Sequence, residues 1–259
     1  MRKSIISTTV SAFVVSSVCF AAPALAEGWY FGGEVGGVWQ NDQPGYWHSP
    51  GAGDPRITYD VNMDATFAGF ISVGKTLTNG VRADFSLGIT GDQDVQANWV
   101  SPAPTGAPGE PNDHANISTS VSAITGMFNV SVEPLALTGN NSRFQPFVTA
   151  GIGAANVKMS DWTRTNSATI NPPARPVRTF VGADDTNFAW SIGGGVSVDL
   201  TDTVNRPAYL DLSYRYMDLG NVSGGFTPLP GNGNSTPIEP FNFDYTVHVV
   251  TVGLRFPFN

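Results

Sequence analysis

Seven charged residues fall at positions where extended backbone would turn their side chains toward one common side: Glu34, Arg82, Asp84, Asp199, Asp211, Arg215 and Arg255. Each sits in an alternating stretch, as in Val81-Arg82-Ala83-Asp84-Phe85 or Gly253-Leu254-Arg255-Phe256. Four acids and three bases facing one confined space can neutralise one another as ion pairs, or they can line a passage that selects ions. The expectation is the first, a polar network that plugs the space. Catalysis is not expected. His48, His114 and His248 are the only histidines. His48 and Ser49 are chain neighbours, which does not aim a base at a nucleophile, and no third residue orients such a pair. Asp42, Asp54 and Asp113 read as solvated acids. Gly91-Asp92-Gln93-Asp94 and Asp184-Asp185 lack the ligand number and turn chemistry of a calcium loop. No cofactor is expected.

The elements that position these residues follow from the rest of the chain. "MRKSIISTTVSAFVVSSVCFAAPALA" has a basic start, an apolar stretch and Ala24-Leu25-Ala26 before Glu27. That is the layout of an export signal, with cleavage expected after Ala26. The apolar stretch is short and broken by serines, so a membrane anchor is disfavoured. Bulky Phe20 after Cys19 speaks against a lipoprotein signal. Cys19 is the single cysteine, so residues 27–259 can form neither a disulfide nor a thiolate metal site. Removing Arg2 and Lys3 leaves 13 − 2 = 11 bases against 21 acids, a charge of −10, which repels nucleic acid.

After the signal no apolar run is long enough for a membrane helix. What recurs is period-two alternation punctuated by Gly, Pro, Asn and Asp clusters. It predicts eight strands, at roughly 28–40, 60–76, 81–94, 116–132, 144–158, 186–200, 208–219 and 243–258. The connections alternate in length. Those at 41–59, 95–115, 159–185 and 220–242 are long, while 77–80, 133–143 and 201–207 are shorter. In an up-and-down barrel alternate connections share one end, and membrane barrels have short turns at one end and long loops at the other. The expected fold is all-β: an eight-stranded antiparallel up-and-down transmembrane β-barrel, residues 27–259, with four long external loops.

The strand faces support a lipid exterior. Residues 81–90 put Val81, Ala83, Phe85, Leu87 and Ile89 on one face and Arg82, Asp84, Ser86, Gly88 and Thr90 on the other. In 208–218, Leu210, Leu212, Tyr214 and Tyr216 oppose Asp211, Ser213 and Arg215. A secreted soluble sandwich also alternates. Small residues with isolated charges on one face, and apolar faces ending in aromatics, fit a narrow lumen inside a lipid-facing wall. His248 shares parity with Phe258 ten positions on, roughly 25 Å along the membrane normal, and is expected at the outer interface.

"GWYFGGEVGGVW", "NGVRADFSLGI", "LDLSYRYMDLG" and "VTVGLRFPF" together resemble the small bacterial outer-membrane β-barrel family of opacity-type porins and OmpA-like transmembrane barrels. The resemblance spans the whole chain after the signal. It implies a surface protein of a Gram-negative outer membrane, whose long loops meet lipopolysaccharide, host or other external ligands, and whose last strand is read by the outer-membrane assembly machinery. Leu254, Phe256 and Phe258 carry that closing-strand signal, with Pro257 inside it and Asn259 after it. The chain is expected to lack the peptidoglycan-binding domain of longer relatives. Tyr46, Trp47, Trp99 and Trp162 are exposed candidates for loop contacts with partners or lipopolysaccharide, and Arg164, Arg175 and Arg178 for lipid phosphates, the other reading being interfacial anchors or plain loop residues. The alternative is a passive small-solute channel, which needs an open lumen.

Overall fold

The computed structural model describes residues 28–51, 53–102, 115–140, 142–166, 177–230 and 235–258. The expected cleavage after Ala26, His114, Arg175 and Asn259 lie outside them.

Eight strands form a closed antiparallel ring, in the order β1 (Trp29–Trp39), β4 (Thr66–Thr78), β5 (Val81–Thr90), β7 (Ala115–Val132), β8 (Phe144–Met159), β11 (Ala183–Asp199), β12 (Tyr209–Ser223) and β13 (Glu239–Pro257). The ring closes where β1 meets β13, from Tyr30↔Pro257 to Trp39↔His248. At one end are tight connections: Asn79-Gly80, a short helix α1 (Pro134–Leu137) and another, α2 (Thr201–Val204). Gly80 has φ +82°, and a side chain there would press within 2.9 Å of the Glu133 carbonyl and the Leu137 amide. The start of β1 at Trp29 and the end of β13 at Pro257 sit at this turn end.

The opposite end departs from expectation. The four long connections are not plain loops. They hold β2 (Gln43–His48), β3 (Arg56–Met63), β6 (Gln93–Ser101), β9 (Trp162–Asn166) and β10 (Arg178–Phe180), and β12 and β13 run on into the last of them. The strands expected at 60–76 and 81–94 each break, at Asp64-Ala65 and Gly91-Asp92. The wall therefore bends and continues upward instead of ending. β13 pairs β2, β2 pairs β3, β3 pairs β6, β6 pairs β7, β7 pairs β9 and β9 pairs β10. Backbone bonds from Val181 to Thr227 and from Leu229 to Thr179 tie β10 to the chain beyond β12. The bends fall at breakers: Asn41-Asp42, Asp64-Ala65, Gly91-Asp92, Ser160-Asp161, Val181-Gly182 and Gly220. Gly220 has φ +83° and sits in the register shift between Asp218 and Asn221.

Parity stays constant along the ring strands apart from the bulge at Gly220 on β12, but polarity inverts. On β13 the inward residues from Phe241 to Val249 are Phe241, Phe243, Tyr245, Val247 and Val249, all buried, while Asp244, Thr246 and His248 face out. Toward the turn end the inward residues become Thr251, Gly253 and Arg255, and the outward ones become exposed Val250, Val252 and Leu254. A belt of exposed Phe67, Ile71, Phe85, Leu87, Phe128, Ile152, Phe188, Ile192 and Leu212 continues this surface around the ring. Water would reject such a belt, and lipid accepts it. Above the belt the outside is polar, so the inside must be dry. One hydrophobic cluster runs from Val38, Phe70 and Met127 up to Trp47, Trp162 and Phe241.

Candidate functional site

Two interiors result, and the expected site residues divide between them. In the turn-end half, six of the seven expected charges line one polar cavity of ≈ 560 Å³ including its open mouth: Glu34, Arg82, Asp84, Asp211, Arg215 and Arg255. Glu34 pairs with Arg215 and accepts a hydrogen bond from Thr251 Oγ1 at 2.6 Å. The Arg215 guanidinium also lies over Phe70, 4.4 Å from the ring centre. Arg255 Nε is 3.0 Å from Asp211 Oδ2, and Arg255 Nη2 donates to Ser197 at 2.7 Å. Asp84 accepts from Tyr30 Oη at 2.9 Å and from Asn129 Nδ2 at 2.8 Å. Every charge here is met by an opposite charge or a neutral donor, the condition for keeping charges out of water.

Asp199 is not brought to this group. Its carboxylate accepts the Thr201 amide at 2.8 Å, where β11 ends and α2 begins. Its place is taken by Glu133, which sequence reasoning left in a connection. Glu133 pairs with Arg82 and lies 3.8 Å from Arg255. It was legible: Asn129 and Ser131 face inward, and Glu133 is the next position of that parity.

The loop-end interior is aromatic. Trp47, Trp99 and Trp162, expected as exposed contacts, are 2%, 7% and 0% exposed. Trp162 stacks on Phe180 at 4.1 Å between ring centres and donates through Nε1 to the Gly225 carbonyl at 3.1 Å. Tyr59 meets Trp99 and Phe241 edge-on at 6.1 and 6.0 Å. These rings sit inside because the wall around them stands in water, where burying each aromatic stabilises by roughly 1.5–3 kcal/mol. Arg164, expected near lipid phosphates, is buried among them instead. Tyr46 alone of the four faces outward, half-buried, with Arg56 3.9 Å from its ring centre and Arg56 clasping Glu239 through two hydrogen bonds. The hydrogen bond from Arg56 holds the Glu239 carboxyl below its ordinary pKa.

The histidines described have settled partners. His48 Nε2 lies 2.8 Å from the Asp54 carbonyl oxygen, while Ser49 Oγ donates to the Asp54 carboxylate. The imidazole does not face the hydroxyl. His248 lies between Tyr214 Oη at 2.7 Å and Asn41 Nδ2 at 3.1 Å and stacks on Trp39 at 5.5 Å, at the upper rim of the apolar belt. Among the described residues no three His, Cys, Asp or Glu side chains gather as a metal site. On the closing strand, Phe31 is the register partner of Phe256, and the Phe258 amide donates to the Trp29 carbonyl at 2.7 Å.

A closed ring of strands, apolar outside and polar inside at one end, with no helix among the described residues long and apolar enough to cross, defines a membrane-spanning β-barrel. Residues 11–256 match the family described as outer membrane protein beta-barrel domain, and the chain belongs to that family, a protein of the outer membrane. It is 26% identical over 256 residues, 99% of each chain, to a Rickettsia bellii (strain RML369-C) protein named "Putative adhesin". It is 32% identical over 110 residues to the Salmonella typhimurium outer membrane protein PagN, covering 42% of this chain and 40% of that one. Among solved structures it resembles the outer membrane protease OmpT of Escherichia coli, with a TM-score of 0.52 at 8% identity, over 90% of this chain and 98% of the other. That likeness is one of fold.

Proposed function

We propose that the chain is a non-enzymatic surface protein that carries a rigid β-structured tier beyond the lipid and binds external partners with the crown of that tier. One observation carries this: the loop-end strands enclose their own aromatic core, so the connections 49–55, 102–114, 167–177 and 230–238 start and finish in a fixed base. The Rickettsia relative's name points the same way. The partners proposed are host or other surface ligands and lipopolysaccharide; no cofactor or nucleic acid is proposed. The partners of His48 and His248 leave neither imidazole aimed at a hydroxyl nucleophile, which supports the non-enzymatic reading.

The polar network acts as a plug that fixes the turn-end half, with Asp199 outside it. The polar cavity favours the passive-channel alternative in the turn-end half alone, since among the described residues the interior from Val249 upward is dry. Leu254, Phe256 and Phe258 are proposed as the assembly signal, and residues 1–26 as the export signal, with 27–259 as the barrel. Attachment of cells displaying the protein tests the main reading. Replacing the tips 49–55 and 230–238 with glycine-serine of equal length is expected to lower attachment at least several-fold while the barrel keeps its heat-modifiable gel mobility. Unchanged attachment after all four tips are exchanged would refute it.

A further inference from the structure

On one flank of the tier the outward side chains form two unbroken rows across the strands. The first runs Asn62, Gln96, Ser118, Thr163 and Thr179, register partners in turn from β3 through β6, β7 and β9 to β10. The second runs Asp60, Asn98, Asn116 and Thr165. Their chain neighbours Val61, Ala97, Ile117 and Arg164 are buried, so both rows face out. Eight of these nine side chains are neutral amides or hydroxyls, and Asp60 is the one charge. A water-facing surface usually carries charge at roughly a quarter to a third of its positions. Outward positions elsewhere on the tier are charged: Lys158 on β8, Asp184 on β11 and Asp244 on β13 are all exposed. Thr163 and Thr179 meet through their hydroxyls at 3.1 Å. Among the described residues, the side chains of Asn62, Gln96, Asn98, Asn116 and Thr165 make no hydrogen bond to another protein group.

Such a face suits few partners. β3, β6, β7 and β9 are each paired on both sides, so they offer no free edge for an added strand. An anionic ligand finds no Lys or Arg in the two rows, and an apolar one finds no apolar side chain. The matching group is the hydroxyl of a neutral sugar, which donates and accepts at once, as a side-chain amide does, while the Asp60 carboxylate accepts from hydroxyls too. Adjacent strands hold these groups about 4.8 Å apart, so several can meet one glycan. Position names the source. On β7 the same outward parity runs down through Ser120 and Ser122 to Ile124, which is 60% exposed in the apolar belt. Ser118 and Asn116 stand roughly 15–20 Å above Ile124, at about 3.3 Å per residue and a tilt of about 40°. The rows thus continue the lipid-facing surface upward at the level of the headgroups beside it. We propose that they bind neutral sugar units of glycolipid headgroups in the surrounding outer leaflet. The proposal rests on lipopolysaccharide being a partner in the reading above and gives it a lateral surface distinct from the crown.

The test uses the whole protein in phosphatidylcholine nanodiscs and reads the side-chain amide resonances of Gln96, Asn98 and Asn116. Discs that contain lipopolysaccharide with its core sugars should shift them, and discs that contain lipid A alone should not. The shift should persist at high salt, since no ion pair makes it. In Asn98→Ala/Asn116→Ala the Gln96 shift should be lost, with heat-modifiable mobility showing that the barrel is folded. Equal resonances in the two kinds of disc, a shift abolished by salt, or a Gln96 shift that survives in the double variant would overturn the proposal. So would an equal shift in plain discs from equimolar free core oligosaccharide, which would make the ligand a soluble glycan. The tips at 49–55 and 230–238 are unaltered throughout, so failure here leaves attachment by the crown standing, and loss of that reading leaves these shifts unchanged.

Discussion

The two halves of this barrel are built from the same strands with opposite instructions. In the turn-end half, Arg255, Thr251 and Arg215 face in and Val252, Leu254 and Leu212 face out. In the loop-end half, Phe241, Phe243 and Tyr245 face in and Asp244 and Thr246 face out. On β13 this happens with no change of parity. The surroundings change from lipid to water, and the inside takes whichever character the outside does not. Alternation therefore tells which residues share a face but not which face meets solvent. That depends on where along the strand the character crosses over, between His248 and Thr251 on β13.

The largest effect should come from hollowing the dry half. Trp162→Ala is expected to destabilise the loop-end tier by about 3–5 kcal/mol, read as faster hydrogen exchange in β6, β9 and β10, while the apolar belt keeps its protection. If exchange rises equally throughout, the two halves are one cooperative unit. In the polar half, Arg215→Met leaves Glu34 without its cation and should lower unfolding stability by a similar ~3–5 kcal/mol, with Glu34→Met/Arg215→Met recovering most of it. Recovery would show that the pair fills space and neutralises charge and does no other work. Next comes the outer surface. Val252→Arg should weaken folding into bilayers by about 2–4 kcal/mol, and Thr246→Arg by ~1 kcal/mol or less. Equal penalties would erase the crossover.

The smallest effect tests charge on the tier. The Glu239 pKa is lowered by Arg56, so the pair stabilises fully above the carboxyl's ordinary range. That contribution is lost as pH falls through the lowered value of the folded state. Arg56 is about half exposed to water, so the loss should be under ~1 kcal/mol, and Arg56→Gln should remove this part of the acid slope.

Much of this was legible in the residues. The ring strands, their faces and six of the seven lumen charges follow from period two. The upward continuation did not, because Asp64-Ala65 and Gly91-Asp92 read as strand ends when they are bends in a continuing wall. Trp47, Trp99 and Trp162 misled for a related reason. Aromatics between breakers look like loop contacts until β2, β6 and β9 close around them. Glu133 was missed because Pro134 follows it and marks a turn, although its parity was already set by Ser131.

Depth-resolved labelling of β13 tests the central claim most directly. The chain's single cysteine, Cys19, lies in the expected signal, so single spin-labelled cysteines at 244, 246, 250, 252 and 254 can be compared in bilayers. The account predicts water-soluble nickel reagent reaching 244 and 246, oxygen dominating at 250, 252 and 254, and neither reaching an inward label at 247. Oxygen dominance at all five outward positions, or nickel access at 247, would contradict it.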